Sequence, residues 1–468
     1  MNSLVLSAVA APVLGSFLVL AAPKHRHILA LMLVAVSFCA ALFLLGPALG
    51  QYTALNLKFM NRLNFEFAVD GLAVFMALCS SGIGVLIIYY SFGYMKHCRH
   101  LAEYYFFIVL FLGSMLGLIF SANLLLMYFF WEITTICSWR LIGFYREKQH
   151  LANANKAVYV TFFGSALMLI GMEMVYHKFG TLNLAQLRGA DIGNPALLLL
   201  LIGMLAKSAQ LPFQVWLPAA SVAPSPVTAL LHAAVLVKIG VYAFARIFCQ
   251  TFQVPGLWPD IVPVLAIITA LVSAACALRE NDIKRILAYS TVSQIAYIFM
   301  GLSLNTAIGI AGGLLYILVH GVGKAGLFLC AGVVEHETNE KDIRKLGGMS
   351  KTMPVTSAAF LLCAFSIMGL PPFGGFWAKL LIILGLIESG KYIIAALAIL
   401  TAIITMMYLL RLFNRVFMGE ATHPGIRERS FEMTSAVMAF GIAGLLIGIF
   451  VSIPLGFLQT IIKQMAGG

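Results

Sequence analysis

Charge is what this sequence has least of. Only 10% of its 468 residues are Asp, Glu, Lys or Arg, and just 18 of them are acidic. Soluble domains carry roughly a quarter of their residues as charges, so a chain this poor in charge cannot cover a globular surface. Cysteine is also sparse: the eight residues stand singly, with no C-x-x-C or other ligand spacing, which argues against iron–sulfur clusters and structural zinc. The alternating segments of roughly ten residues that would build a membrane barrel are missing too.

What the chain does have is apolar length. Hydrophobic residues make up 61% of it and its mean hydropathy is +0.97. Runs of about 20 apolar residues recur to the end of the chain, which fits an all-α polytopic membrane protein of about 14 transmembrane helices, from 3–22 to 433–462. The first run, Leu4 to Ala22, leads into Pro23 and a basic cluster rather than a small-residue cleavage site, and is read as a retained helix. The net charge of +12 reflects loops rather than a nucleic-acid partner. Lys24/Arg26, Lys96/Arg99, Arg146/Lys148/Lys156, Arg279/Lys284/Arg285, Lys341/Arg344/Lys345/Lys351 and Arg411/Arg415/Arg427/Arg429 fall in alternate loops. The other side holds the sparser set Lys58, Arg62, Lys178, Arg188, Arg246, Lys391 and Lys463. Basic loops stay cytoplasmic, so both termini are expected to face outward.

Five basic residues, Arg140, Lys207, Lys238, Lys324 and Lys379, fall inside spans, with Glu132, His232 and His320. A charge at the centre of a membrane helix costs about 2.5–3.5 kcal/mol on insertion scales. One such residue could be a side chain snorkelling to a helix end; eight in one chain call for a use. Lys207 stands just before Pro212, which should break its helix beside the charge. Gln210-Leu-Pro-Phe-Gln-Val-Trp216 has an echo in Gly369-Leu-Pro-Pro-Phe-Gly-Gly-Phe-Trp377, ahead of Lys379. The echo implies two inverted five-helix repeats, each with a broken helix. The division expected is N-terminal helices in 1–103, a half-channel in 104–250, a second in 260–417 and a C-terminal helix in 418–468. His320 and Lys324, four apart, share a helix face that Tyr316 continues.

Four segments then carry a resemblance: Phe130-Trp-Glu-Ile-Thr-Thr-Ile-Cys-Ser138, Lys207-Ser-Ala-Gln-Leu-Pro-Phe213, Ser221-Val-Ala-Pro-Ser-Pro-Val-Thr-Ala-Leu-Leu-His-Ala-Ala234 and Asp282-Ile-Lys-Arg-Ile-Leu-Ala-Tyr-Ser-Thr-Val-Ser-Gln294. Together they resemble the antiporter-like subunits shared by respiratory complex I, the multisubunit cation/proton antiporters and the membrane-bound hydrogenases. The Glu-Ile-Thr-Thr form looks more like the hydrogenase type. The resemblance implies proton translocation, with Glu132 as the carboxylate of the fifth span and Lys207 as its partner. His232 and Lys238 follow on the eighth span, His320 and Lys324 on the eleventh, and Lys379 at the end. Two positions depart from the pattern. Tyr316 stands where a histidine is frequent, and Arg140 where a leucine is usual. Arg140 is either a snorkelling anchor or a second partner for Glu132.

The resemblance further implies no cofactor of the chain's own. It implies other membrane subunits as partners, further antiporter-like ones among them, with lipid around the chain and a cytoplasmic redox arm if the complex is redox-driven. Relatives with a lateral helix continue well beyond position 468, so a shorter, middle-type subunit of the prokaryotic inner membrane is expected. Two rivals stay open: a sodium/proton antiporter subunit, and a quinone-binding redox subunit.

Overall fold

The computed structural model describes residues 2–48, 53–60 and 63–466. Arg62 and the side chain of Lys58, counted above with the sparse basic set, lie outside the described residues. The chain is all-α and polytopic. Its helices are α1 (Asn2–Ala21), α2 (Arg26–Phe43), α3 (Gly71–Tyr94), α4 (Leu101–Phe120), α5 (Leu124–Ile142), α6 (Lys148–Phe179), α7 (Asn194–Lys207), α8 (Ser225–Thr251), α9 (Trp258–Arg279), α10 (Ile283–Ser303) and α11 (Ala307–Thr338). They continue with α12 (Pro354–Met368), α13 (Gly374–Glu388), α14 (Tyr392–Phe417), α15 (Phe431–Ile449) and α16 (Ser452–Ala466). Among the described residues, twelve are long and apolar enough to cross a membrane. The broken pairs α7 with the short turn Trp216–Ala219, and α12 with α13, bring the crossings to the expected fourteen.

Side-chain caps fix several starts, because the first backbone amides of a helix have no partner within it. Asp70 accepts from the Ala73 amide at 2.9 Å and Asp282 from Arg285 at 3.0 Å, while Asn123, Thr306 and Ser430 cap α5, α11 and α15. Two departures from the sequence reading appear. Thr53–Met60 and Leu63–Val69 pair as an antiparallel hairpin, tied to the α4–α5 turn where the Ala122 amide bonds the Glu66 carbonyl at 2.8 Å. The last span is also two helices, α15 and α16, rather than one.

Burial orders the bundle. The apolar window of α8 is wholly buried and those of α10 and α11 nearly so, whereas only 28% of the α2 window is covered. The central helix α11 packs against α10, α12, α13 and α15. His232, Lys238, His320 and Lys324 therefore stand on the innermost helices, and α1, α2, α6 and α14 carry outward apolar faces, as exposed Phe17, Met32, Phe163 and Ile403 show.

Candidate functional site

α7 stops at Lys207, and Pro212 explains why: it has no amide to donate and its ring would meet the preceding turn. The carbonyls this frees find partners. Ser208 accepts from the Gln210 side-chain amide at 3.0 Å, Leu205 from the Gln210 backbone amide at 2.9 Å and Ala206 from the Trp216 indole at 2.9 Å. Gly240 lets α8 reach the break, since a Cβ there would stand 2.3 Å from both the Met204 carbonyl oxygen and Ser208 Oγ. Lys207 is thus a cation at a helix C-terminus, where the backbone dipole favours it. Its Nζ donates to Thr135 Oγ1 at 2.7 Å and to the Trp131 carbonyl at 3.3 Å, and lies 5.4 Å from the centre of the Trp131 ring.

The expected partner, Glu132, is placed differently. It is half-buried, with the Tyr128 hydroxyl one turn earlier beside it and Oε1 without a hydrogen-bond partner. It lies near enough to Lys207 to act on it through space, but no ion pair joins the two among the described residues. Thr135, one turn further along α5, takes the direct bond instead.

The remaining lysines and histidines sit in the wholly covered interior. The first turns of α8 open into a π-helical segment, Leu230–Ala234, which holds His232; such bulges frequently mark functional positions. The His232 ring lies 4.4 Å from the ring of Phe328, and neither of its nitrogens has a hydrogen-bond partner. Lys238 donates to the Ile317 carbonyl of α11 at 2.8 Å. His320 also keeps both nitrogens unpartnered, with Lys238, Lys324, His232 and Lys379 near enough to act on it electrostatically. Lys324 reaches the Leu287 carbonyl at 3.1 Å. Tyr316 donates to Gln294 Oε1 at 2.5 Å, and Gln294 bonds Thr405 at 3.2 Å. The Gln294 side chain thus ties α10 to both α11 and α14.

Lys379 occupies the second break. α12 ends at Met368, Gly369 turns the chain with φ 85°, and Gly374 restarts it as α13. The carbonyls freed there, Ile367 and Met368, accept from Lys379 Nζ at 2.8 and 3.3 Å, and the Tyr297 ring lies 5.1 Å away. A Cβ on Gly375 would sit 1.7 Å from the Ser366 carbonyl oxygen, so only glycine fits at that crossing. Among the described residues no carboxylate pairs with Lys379.

Arg140, expected as a snorkelling anchor or a second partner of Glu132, pairs through Nε with Glu103 on α4, which Arg146 also holds at 2.6 Å, and no ion pair joins it to Glu132 among the described residues. Two sequence expectations need correction. Arg246, counted as a loop residue, is 4% exposed within α8. It grips Asp70, with Nη2 to Oδ1 at 2.9 Å, and is backed by Tyr242 and Gln250. Lys284, also counted with a loop, is 1% exposed and bonds Glu335 at 2.8 Å and the Ala223 carbonyl at 2.8 Å. Asp70 and Glu335 thus neutralise two buried charges, and Asp70 stands 176 residues from Arg246, a separation that local sequence does not bridge.

Comparison with known proteins follows the same lines. Residues 121–405, more than half the chain and all of the broken-helix core, match the family described as NADH:quinone oxidoreductase/Mrp antiporter, TM. The chain belongs to that family. Residues 59–105 match the one described as NADH-Ubiquinone oxidoreductase (complex I), chain 5 N-terminus. A Na(+)/H(+) antiporter subunit from Alkalihalophilus pseudofirmus is 36% identical over 392 residues, covering 76% of this chain and 48% of its own. Another, from Staphylococcus haemolyticus, is 32% identical over 401 residues, covering 79% and 50%. The chain spans about half the length of these curated relatives. Its fold matches a chain of the Mrp complex from Dietzia sp. DQ12-45-1b with TM-score 0.91 at 24% identity, over 99% of this chain and 100% of that one. A chain of the archaeal membrane-bound sulfane sulfur reductase gives 0.92 at 22% identity, over 99% and 98%.

Proposed function

We propose that the chain is a proton-translocating, antiporter-like subunit of a multisubunit complex in a prokaryotic cytoplasmic membrane, with both termini outward. In this reading 104–250 and 260–417 are two inverted half-channels, flanked by helices in 1–103 and 418–468. Protons pass along Glu132, Lys207, His232, Lys238, His320, Lys324 and Lys379 through intervening water. The observation that supports it most is that four lysines at membrane depth, Lys207, Lys238, Lys324 and Lys379, have neutral oxygens as hydrogen-bond partners and no carboxylate ion pair among the described residues. An intramembrane lysine is costly and marks an ion path by default. One held by neutral acceptors can give up a proton without stranding a bound anion. The unpartnered ring nitrogens of His232 and His320 are further stations, since each can donate or accept.

Energy arrives from other subunits, either a redox arm of hydrogenase or NADH dehydrogenase type or an opposing cation gradient. The second source, sodium/proton exchange, is favoured by the similarity to chains named as subunits of Na(+)/H(+) antiporters. Purifying the complex through this chain separates the two: hydrogenase or dehydrogenase subunits in the preparation support the redox source, and membrane subunits alone the exchange. The transport reading itself is tested with Lys207→Ala and Glu132→Ala, each expected to remove most proton uptake while the complex still assembles. Unchanged uptake in Lys207→Ala, beside full loss in Lys379→Ala, would leave the first half without a role.

A further inference from the structure

At the end of the bundle where the basic loops gather, a cleft of about 930 Å³ opens between the α1–α2 turn, the C-terminus of α3 and the N-terminus of α15. Lys24, Arg26, Lys96 and Arg429 line it, and none of the four forms an ion pair among the described residues. Two carboxylates, Glu337 and Glu432, are present, so the cleft stays cationic. Phe92 and Tyr105 also line it, and aromatic rings are favoured at headgroup depth. None of these residues belongs to the proton path.

The same side of α3 carries a second feature. Leu78, Gly82 and Leu86 line an apolar groove of about 290 Å³, closed on the far side by Phe440, Ala443 and Phe457. Gly82, Leu86, Tyr89, Gly93 and Lys96 recur every three or four residues, so one helix face leads from groove to cleft. Gly82, Leu86, Tyr89 and Gly93 stay half-buried along that face; α15 approaches it where the Ser435 hydroxyl meets the Tyr89 hydroxyl at 3.3 Å and where Ser430 and Met433 lie against Gly93, and α2 approaches it where Phe38 lies against Gly82. Leu86 precedes Lys96 by about 15 Å of helix, half of the roughly 30 Å hydrocarbon core. That is the reach of one leaflet's acyl chain.

We propose that this α3–α15 seam binds an anionic phospholipid, its phosphate in the basic cleft and one acyl chain in the groove. A small soluble anion has no use for the groove, and a zwitterionic lipid does not answer the unpaired cations. The bound lipid would join the otherwise peripheral α1 and α2 to α15.

The full chain, purified in mild detergent, is titrated with dioleoyl phosphatidylglycerol, dioleoyl phosphatidylcholine and sn-glycerol 3-phosphate, and binding is read by native mass spectrometry. Phosphatidylglycerol is expected to bind at least tenfold more tightly than phosphatidylcholine. Each interfacial Lys or Arg contributes about fivefold to anionic-lipid binding, so the triple variant Lys24→Gln/Lys96→Gln/Arg429→Gln should erase that preference. Ala443→Phe, which fills the groove and leaves every charge in place, should weaken phosphatidylglycerol binding several-fold. Equal binding of the two lipids, or a preference that survives the triple variant, overturns the proposal. So does glycerol 3-phosphate binding as tightly as the lipid, which would make the cleft a plain anion site, or an acidic protein segment retained there in place of lipid.

Discussion

Removing the carboxylate of Asp70 tests how the inner helices are held. Asp70 serves two elements at once: it caps α3 through the Ala73 amide, and it neutralises Arg246 in α8, where both side chains are at most 5% exposed. Stripping one partner from a buried pair costs about 3–5 kcal/mol, because the other charge is left in a medium that cannot solvate it. Loss of the cap adds about 1 kcal/mol. Asp70→Ala should therefore lower the unfolding free energy by about 4–6 kcal/mol, measured by equilibrium denaturation of the purified chain in mixed micelles. Asp70→Ala/Arg246→Met should recover most of it, since an apolar replacement of the whole pair is often neutral or better. A loss below about 1 kcal/mol in the single variant, or a double variant no better than Asp70→Ala, would refute the clamp.

The remaining predictions concern three other sites. Arg140→Leu should cost no more than about 1 kcal/mol, since its ion pair with Glu103 is partly solvated; a double-mutant cycle should find coupling to Glu103 and none to Glu132. Gly375→Ala should abolish transport and lower the melting temperature of the chain, because its Cβ would overlap the Ser366 carbonyl; unchanged values of both would show that the crossing relaxes freely. A cysteine at Gln149 should label in intact cells only with membrane-permeant reagents, and labelling by an impermeant reagent would invert the orientation.

The number of crossings was legible because hydrophobic length at 1.5 Å per residue maps directly onto membrane thickness. Both breaks were legible as well, since Pro212, Pro371 and Pro372 cannot continue a helix whatever surrounds them. The hairpin was hidden among long apolar runs, although Leu55, Leu57 and Phe59 alternate with Asn56 and Lys58 in the period of a strand. Partner choice was the least legible part. Glu132 and Lys207 are the conspicuous opposite charges, yet the lysine bonds Thr135, an ordinary helix residue one turn from the carboxylate. Asp70 and Arg246 lie 176 residues apart in the chain, and Lys284 and Glu335, on the consecutive helices α10 and α11, lie 51 apart. Arg246 and Lys284 sit next to polar stretches, where their charge passes for a topology signal until the fold brings in the partner.

Proton uptake into vesicles reconstituted with the complex, followed by dye quenching, is the most direct test of the central claim when Lys379→Arg is compared with wild type and with Lys379→Ala. Arginine keeps the positive charge and can still donate toward the Ile367 and Met368 carbonyls, but it does not deprotonate at working pH. If Lys379 passes protons on, Lys379→Arg should lose transport nearly as completely as Lys379→Ala. Wild-type rates in Lys379→Arg would instead mean that the second break needs only a fixed charge, and that protons leave by another route.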